Sequence, residues 1–154
     1  MDWFVKAFIK SSLAWLGAGV SLGVAMAVYP TWVIYRTAHI HMNVLGFVTM
    51  MIFGVAYHVM PRFTGHPLHS RRLATAQWWL ANVGLAVFVA ALVLRPHMNA
   101  QWMMGLGGIL SATAAFVFIY NMWRTIDDTT TRQQATRTAS PATGPTPLRR
   151  AIAK

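Results

Sequence analysis

The chain contains no cysteine, which excludes disulfides, zinc–thiolate sites, iron–sulfur clusters and covalent attachment of a c-type haem. Acidic residues are almost missing too: the 154 residues include three, Asp2, Asp127 and Asp128. All three lie outside the long apolar runs, so no carboxylate sits where a proton path through a membrane needs a titratable group. The chain by itself is therefore not expected to pump protons. Charge of either sign is scarce, at 10% of residues against 56% hydrophobic, and the mean hydropathy is +0.45. An ordinary soluble domain carries charge on about a quarter of its residues.

What the sequence does have is uninterrupted apolar length. Cutting at charged residues leaves four uncharged stretches: Lys10 to Arg36, Arg36 to Arg62, Arg72 to Arg95 and Arg95 to Arg124. Each suffices for a helix to cross a hydrocarbon core about 30 Å thick, which takes about 20 residues. The expected fold is all-α, an integral membrane four-helix bundle with approximate helices 4–29, 32–60, 73–94 and 99–123. Pro30 ends the first and Pro61 closes the second, because the residue before a proline disfavours helical geometry. Pro96 breaks the third. Gly17, Gly19 and Gly23, and the Gly105–Gly108 run, mark surfaces where a neighbouring helix can approach closely. The helical domain spans 1–124. Residues 125–154, rich in Thr, Gln, Ala, Pro and Arg, read as a disordered basic tail, since they offer little apolar surface to offset ordering entropy. The first apolar run follows Lys6 and Lys10 and contains Ala-Met-Ala, as a leader might, but it is long for one and three spans follow, so it reads as a retained helix.

The formal net charge of +10 raises nucleic acid as a partner, and the placement of the charge answers it. Lys6 and Lys10 precede the first span, Arg62, Arg71 and Arg72 lie between the second and third, and six basic residues run from Arg124 to Lys154. Arg36 and Arg95 alone mark the other two connections. Under the positive-inside rule both termini and the middle loop are cytoplasmic, and the expected location is a cytoplasmic (inner) membrane, bacterial and multi-pass. No helix carries a basic stripe interleaved with aromatics. Membrane lipid, not nucleic acid, is the expected partner.

Within this apolar background Thr37–Gly65 carries His39, His41 and His58. Ionisable groups inside a membrane are costly and usually face a functional partner. Residues two apart on a helix differ by roughly 200° in azimuth, so His39 and His41 leave on nearly opposite sides and serve separate partners. Neutral imidazole is a common axial ligand of haem iron. The plainer reading is a histidine near the headgroups bonded to water or a carbonyl. Met42, Met50, Met51, Met60, Met98, Met103 and Met104 supply a rival reading, Cu(I) held by soft thioethers, although methionine is equally an ordinary apolar filler.

The order Ala38-His39-Ile40-His41, then Gly54, His58, Pro61 and Phe63-Thr64-Gly65, resembles the tenth helix of subunit I of the haem-copper oxidases, the family of cytochrome c oxidase and nitric oxide reductase. Pro96-His97 then follows a further helix, as in that family. The resemblance implies haem b, with His39 as axial ligand of a high-spin haem and His41 of a low-spin haem, both toward the outer side. His97 lies on the same side and is the candidate second ligand within the chain. His58 matches a histidine that is not a haem ligand and is expected to be structural. His66 and His69 fall in the middle loop and are expected to be solvated. The family's copper ligands and its other low-spin histidine have no counterpart here, so oxidoreductase activity would require assembly with partners. That fold is built of helical arcs around a pseudo-threefold axis, and this chain matches one arc in size, which suggests a homo-oligomer, a trimer in particular, or association with respiratory subunits. The expected role is electron transfer or binding of a diatomic gas, O2 or NO. The alternatives are a copper-handling or oxidase-assembly protein and a cofactor-free membrane scaffold.

Overall fold

The computed structural model describes residues 1–139, with side chains through Asp128. It is all-α among those residues. Four helical stretches are long and apolar enough to cross a membrane: Trp3–Val28, Pro30–Thr64, Arg71–Leu94 and Gln101–Asp128. The first is α1 (Trp3–Val28), which stops where Tyr29 turns extended ahead of Pro30.

The second span is a composite. Pro30–Tyr35 winds as a 3₁₀-helix with proline at its start, where a missing N–H costs nothing. The α-helix α2 (Arg36–His41) follows, then a π-helical segment, Met42–Thr49, then α3 (Met50–Thr64). In the wider π-turn the Thr49 hydroxyl donates to the Val44 carbonyl, 2.8 Å away. The expected stop at Pro61 is corrected, because the helix runs one turn further, to Thr64. A proline in the last turn forfeits one bond of the ladder, and the carbonyls at the helix end are capped locally. The Thr64 hydroxyl donates to the Met60 carbonyl (3.0 Å) and the His66 amide to the Pro61 carbonyl (3.1 Å). Gly65, at φ 67°, supplies the left-handed residue that ends the helix.

Ser70 starts α4 (Arg71–Leu94), its side chain accepting from the Leu73 amide at 3.3 Å. The last helix, α5 (Gln101–Ala139), passes the boundary expected at 124. Thr125–Ala139 holds no glycine or proline to interrupt it, and the Thr125 hydroxyl donates back to the Asn121 carbonyl at 2.7 Å. The start of the expected disordered tail is thus helical, and 140–154 lies outside the described residues.

Packing joins two hairpins. In one, α1 lies along the second span; in the other, α4 and α5 pack along each other. That contact depends on missing side chains: a Cβ on Gly107 would stand 2.5 Å from the Phe88 amide nitrogen and 2.8 Å from the Gly84 carbonyl oxygen. Backbones touch there because nothing stands between them. The hairpins meet on an aromatic core in which Phe53 stacks on Phe118, 4.4 Å between centroids, and Tyr57 lies edge-on to both Phe4 and Phe118. Polar glue adds to it. Trp15 Nε1 donates to Asn82 (3.3 Å) and Trp78 Nε1 to Ser11 (3.0 Å).

Candidate functional site

His39 and His41 stand at the end of α2 and face different neighbours. His39 turns toward α1, with Nδ1 2.7 Å from the Gly19 carbonyl oxygen. A carbonyl only accepts, so Nδ1 carries the hydrogen. The ring fills space that Gly23 leaves open, since a Cβ there would lie 2.8 Å from His39 Cε1. Asn43, one turn on, donates to the His39 carbonyl at 2.8 Å and packs over Gly19. Its amide nitrogen also stands 3.4 Å from His39 Nδ1. With the hydrogen already committed to Gly19, that approach is contact between two donors, not a bond.

His41 faces α4. Its ring lies 4.9 Å, centroid to centroid, from Phe88. Nδ1 donates to the Thr37 carbonyl at 2.8 Å, so Nε2 is the unprotonated nitrogen. Nε2 has no hydrogen-bond partner among the described residues. The ring is part-exposed. A groove of about 290 Å³ begins one turn away, lined by Ile34, Thr37, Leu92, Arg95 and Pro96. The chain therefore holds the neutral His41 ring in one tautomer, with the Nε2 lone pair unused by the described residues.

The other histidines are elsewhere. His97 is exposed after α4, its Nε2 3.1 Å from the Tyr35 hydroxyl, and it bonds to neither His39 nor His41. His58 pairs with Arg62, one turn along its own helix. His69, expected to be solvated, is at the surface but held: Nδ1 lies 2.9 Å from Asp128 Oδ2, and its amide donates to Thr125 at 3.1 Å. Among the described residues no three His, Asp or Glu side chains gather as a metal site. The methionines disperse, Met50 into the core and Met42, Met60 and Met104 against it, while Met98 is exposed.

No family model matches the chain, but individual relatives do. It is 31% identical over 101 residues to a cytochrome c oxidase subunit 1 of Thermus thermophilus, a match covering 60% of this chain and 94% of that relative. The chain belongs to the cytochrome c oxidase subunit I family. Within that family it is 29% identical over 133 residues to the Cbb3-type cytochrome c oxidase subunit CcoN1 of Stutzerimonas stutzeri, covering 80% of this chain and 23% of the relative. To the cytochrome c oxidase subunit 1 of Rhodobacter capsulatus it is 26% identical over 125 residues, covering 64% of this chain and 23% of the relative. The chain thus spans about a quarter of the length of these last two curated relatives. It is a multi-pass membrane protein related to part of subunit I.

For a subunit I relative, the neighbours of the histidine pair matter as much as the pair. Sequence reasoning passed over Asn43 and Phe88, and over the contact of Tyr35 with His97. Asn43 was within reach, since it stands one turn after His39 on the same face. Phe88 and Tyr35 come from the folding of α4 and of the 3₁₀ segment against α2, and no local spacing signals them.

Proposed function

We propose that this membrane protein binds haem b, with His41 as an axial ligand, and acts in electron transfer or in binding a diatomic gas. The observation that carries the reading is the hydrogen bond from His41 Nδ1 to the Thr37 carbonyl. Ligating histidines commonly donate their other ring nitrogen to a carbonyl or carboxylate, which fixes the tautomer and raises the basicity of the ligand. His41 meets that requirement, and its part-exposed ring lies one turn from a groove of mixed polarity whose lining includes Arg95. Bound haem would supply one-electron chemistry and an iron site for O2 or NO.

The residues fit the group unequally. His39 shares the tautomer but is wedged against Gly19 and Gly23 of α1, so ligation of a second haem there, as the family resemblance implies, requires that ring to leave the seam. His97 would have to exchange its Tyr35 contact. Met50 and its neighbours pack as core, so no observation favours a thioether copper site. The proposal also places both termini and the 65–70 loop on the cytoplasmic side of a bacterial inner membrane, with a second copy of the chain or a respiratory subunit against the exposed face.

The test is the absorption spectrum of protein purified after haem-supplemented expression, with and without dithionite, together with the pyridine haemochrome assay. A Soret band lost in His41→Ala and retained in His58→Ala is the expected result. A wild-type protein without a Soret band sinks the reading.

A further inference from the structure

One stripe of the second span runs His41, Leu45, Thr49, Phe53, Tyr57. Opposite it α4 presents Phe88, Leu85, Ala81 and Gln77, from His41 at one end to the bond that Tyr57 donates to Gln77 at the other. The Tyr57 end is a dense polar layer. Gln77 and Asn121 are fully buried, and Asn121 bonds both the amide and the carbonyl of Ser70, at 3.0 and 2.9 Å.

Between the two ends lies a cavity of about 60 Å³, bounded by Leu45, Thr49, Phe53, Ala81, Leu85 and Ser111. Ser111 Oγ is one of two described side-chain atoms, with Gln77 Nε2, that are buried without a hydrogen-bond partner. A buried orphan hydroxyl in a membrane span is costly, because the lipid around it offers no replacement. The cavity is also several times the ~10–15 Å³ that one water needs, and a buried water needs at least two polar partners. Ser111 supplies a free donor and acceptor. Thr49 donates its hydrogen to Val44 and keeps lone pairs that can accept. That bond to Val44 holds the Thr49 hydroxyl in place on a residue that lines the cavity.

We propose that this cavity is an internal water site, in which water bridges Ser111 and Thr49 midway between His41 and the Tyr57–Gln77–Asn121 layer. The site gives the apolar seam a polar step on the His41 stripe in a chain with no intramembrane carboxylate. It does not depend on haem being bound.

Water-edited solid-state NMR of the protein in bilayers tests it. Magnetisation from water should reach Ser111 and Thr49 several-fold faster than it reaches Phe8, which is fully buried away from the cavity. In Ser111→Ala the Thr49 transfer should fall to the Phe8 level, and xenon under pressure should then shift the Ala114 methyl. In the wild type, Ser111 and Thr49 transfer as slow as that of Phe8, or a xenon-induced shift at Ala114, would identify a dry or lipid-filled cavity and overturn the proposal. The two wild-type measurements decide the matter even if the variant fails to insert.

Discussion

Glycines and histidines make the point at the scale of single residues. The sequence marks Gly17, Gly19, Gly23, Gly105 and Gly107 alike as close-packing positions, and the fold separates them. Gly17 and Gly105 face open space, Gly19 and Gly23 receive Asn43 and His39, and Gly107 receives backbone. Side chains can move aside and backbone cannot. Gly107→Ala should therefore destabilise the α4–α5 pair by about 1–3 kcal/mol, while Gly105→Ala should leave stability unchanged. Denaturation of the two variants in mixed detergent micelles, followed by tryptophan fluorescence, checks the contrast. For the histidines, helical geometry already places His39 and His41 on opposite sides. It does not say that one would be wedged into α1 and the other set against Phe88 of α4, because that depends on which helix packs where.

At the scale of elements, the π-helical segment sets the register between α2 and α3. A π-turn holds an extra residue relative to an α-turn, and such bulges concentrate at functional sites. Deleting Val44, an exposed residue of that segment, should remove the extra residue and restore α-geometry with His41 and Tyr57 still on one stripe, whereas adding an alanine beside Val44 should rotate His41 by about 100° relative to Tyr57. Both variants are expected to enter the membrane normally, shown by protease protection of their spans, and only the lengthened one to lose any haem absorption of the wild type. The 65–70 connection makes a second element-scale prediction. Asn121 holds it by both backbone groups of Ser70, and Asn121→Leu leaves the Ser70 amide without a partner, at about 1–3 kcal/mol, while the carbonyl keeps the Ala74 amide. Trypsin should then cut at Arg71 or Arg72 markedly faster than in the wild type. Neither the π-turn nor this latch was legible in the sequence: Met42–Thr49 has no proline and its one glycine, Gly46, packs against Trp15, and Ser70 and Asn121 are 51 residues apart.

For the whole molecule, the testable property is sidedness. A chain free of cysteine allows single-cysteine scanning without background. With termini and middle loop inside, His66→Cys should react with an impermeant maleimide only in inverted vesicles and Asn99→Cys only in right-side-out cells. The opposite pattern would reverse the proposed orientation.

By itself the sequence determined that there are four spans, where they begin to within a turn or so, that the uncharged apolar stretches hold no carboxylate, and that the chain resembles the family to which its relatives then assigned it. These follow from local chemistry, since apolar length, charge placement and proline act along the chain. Only the tertiary structure decided that α5 continues past Arg124, that His39 closes on Gly19 and Gly23 while His41 meets Phe88, and that Ser111 and Thr49 share a cavity. Each of these depends on contacts between helices distant in sequence or on the shape those contacts leave, and spacing along one helix fixes only the side from which a residue departs.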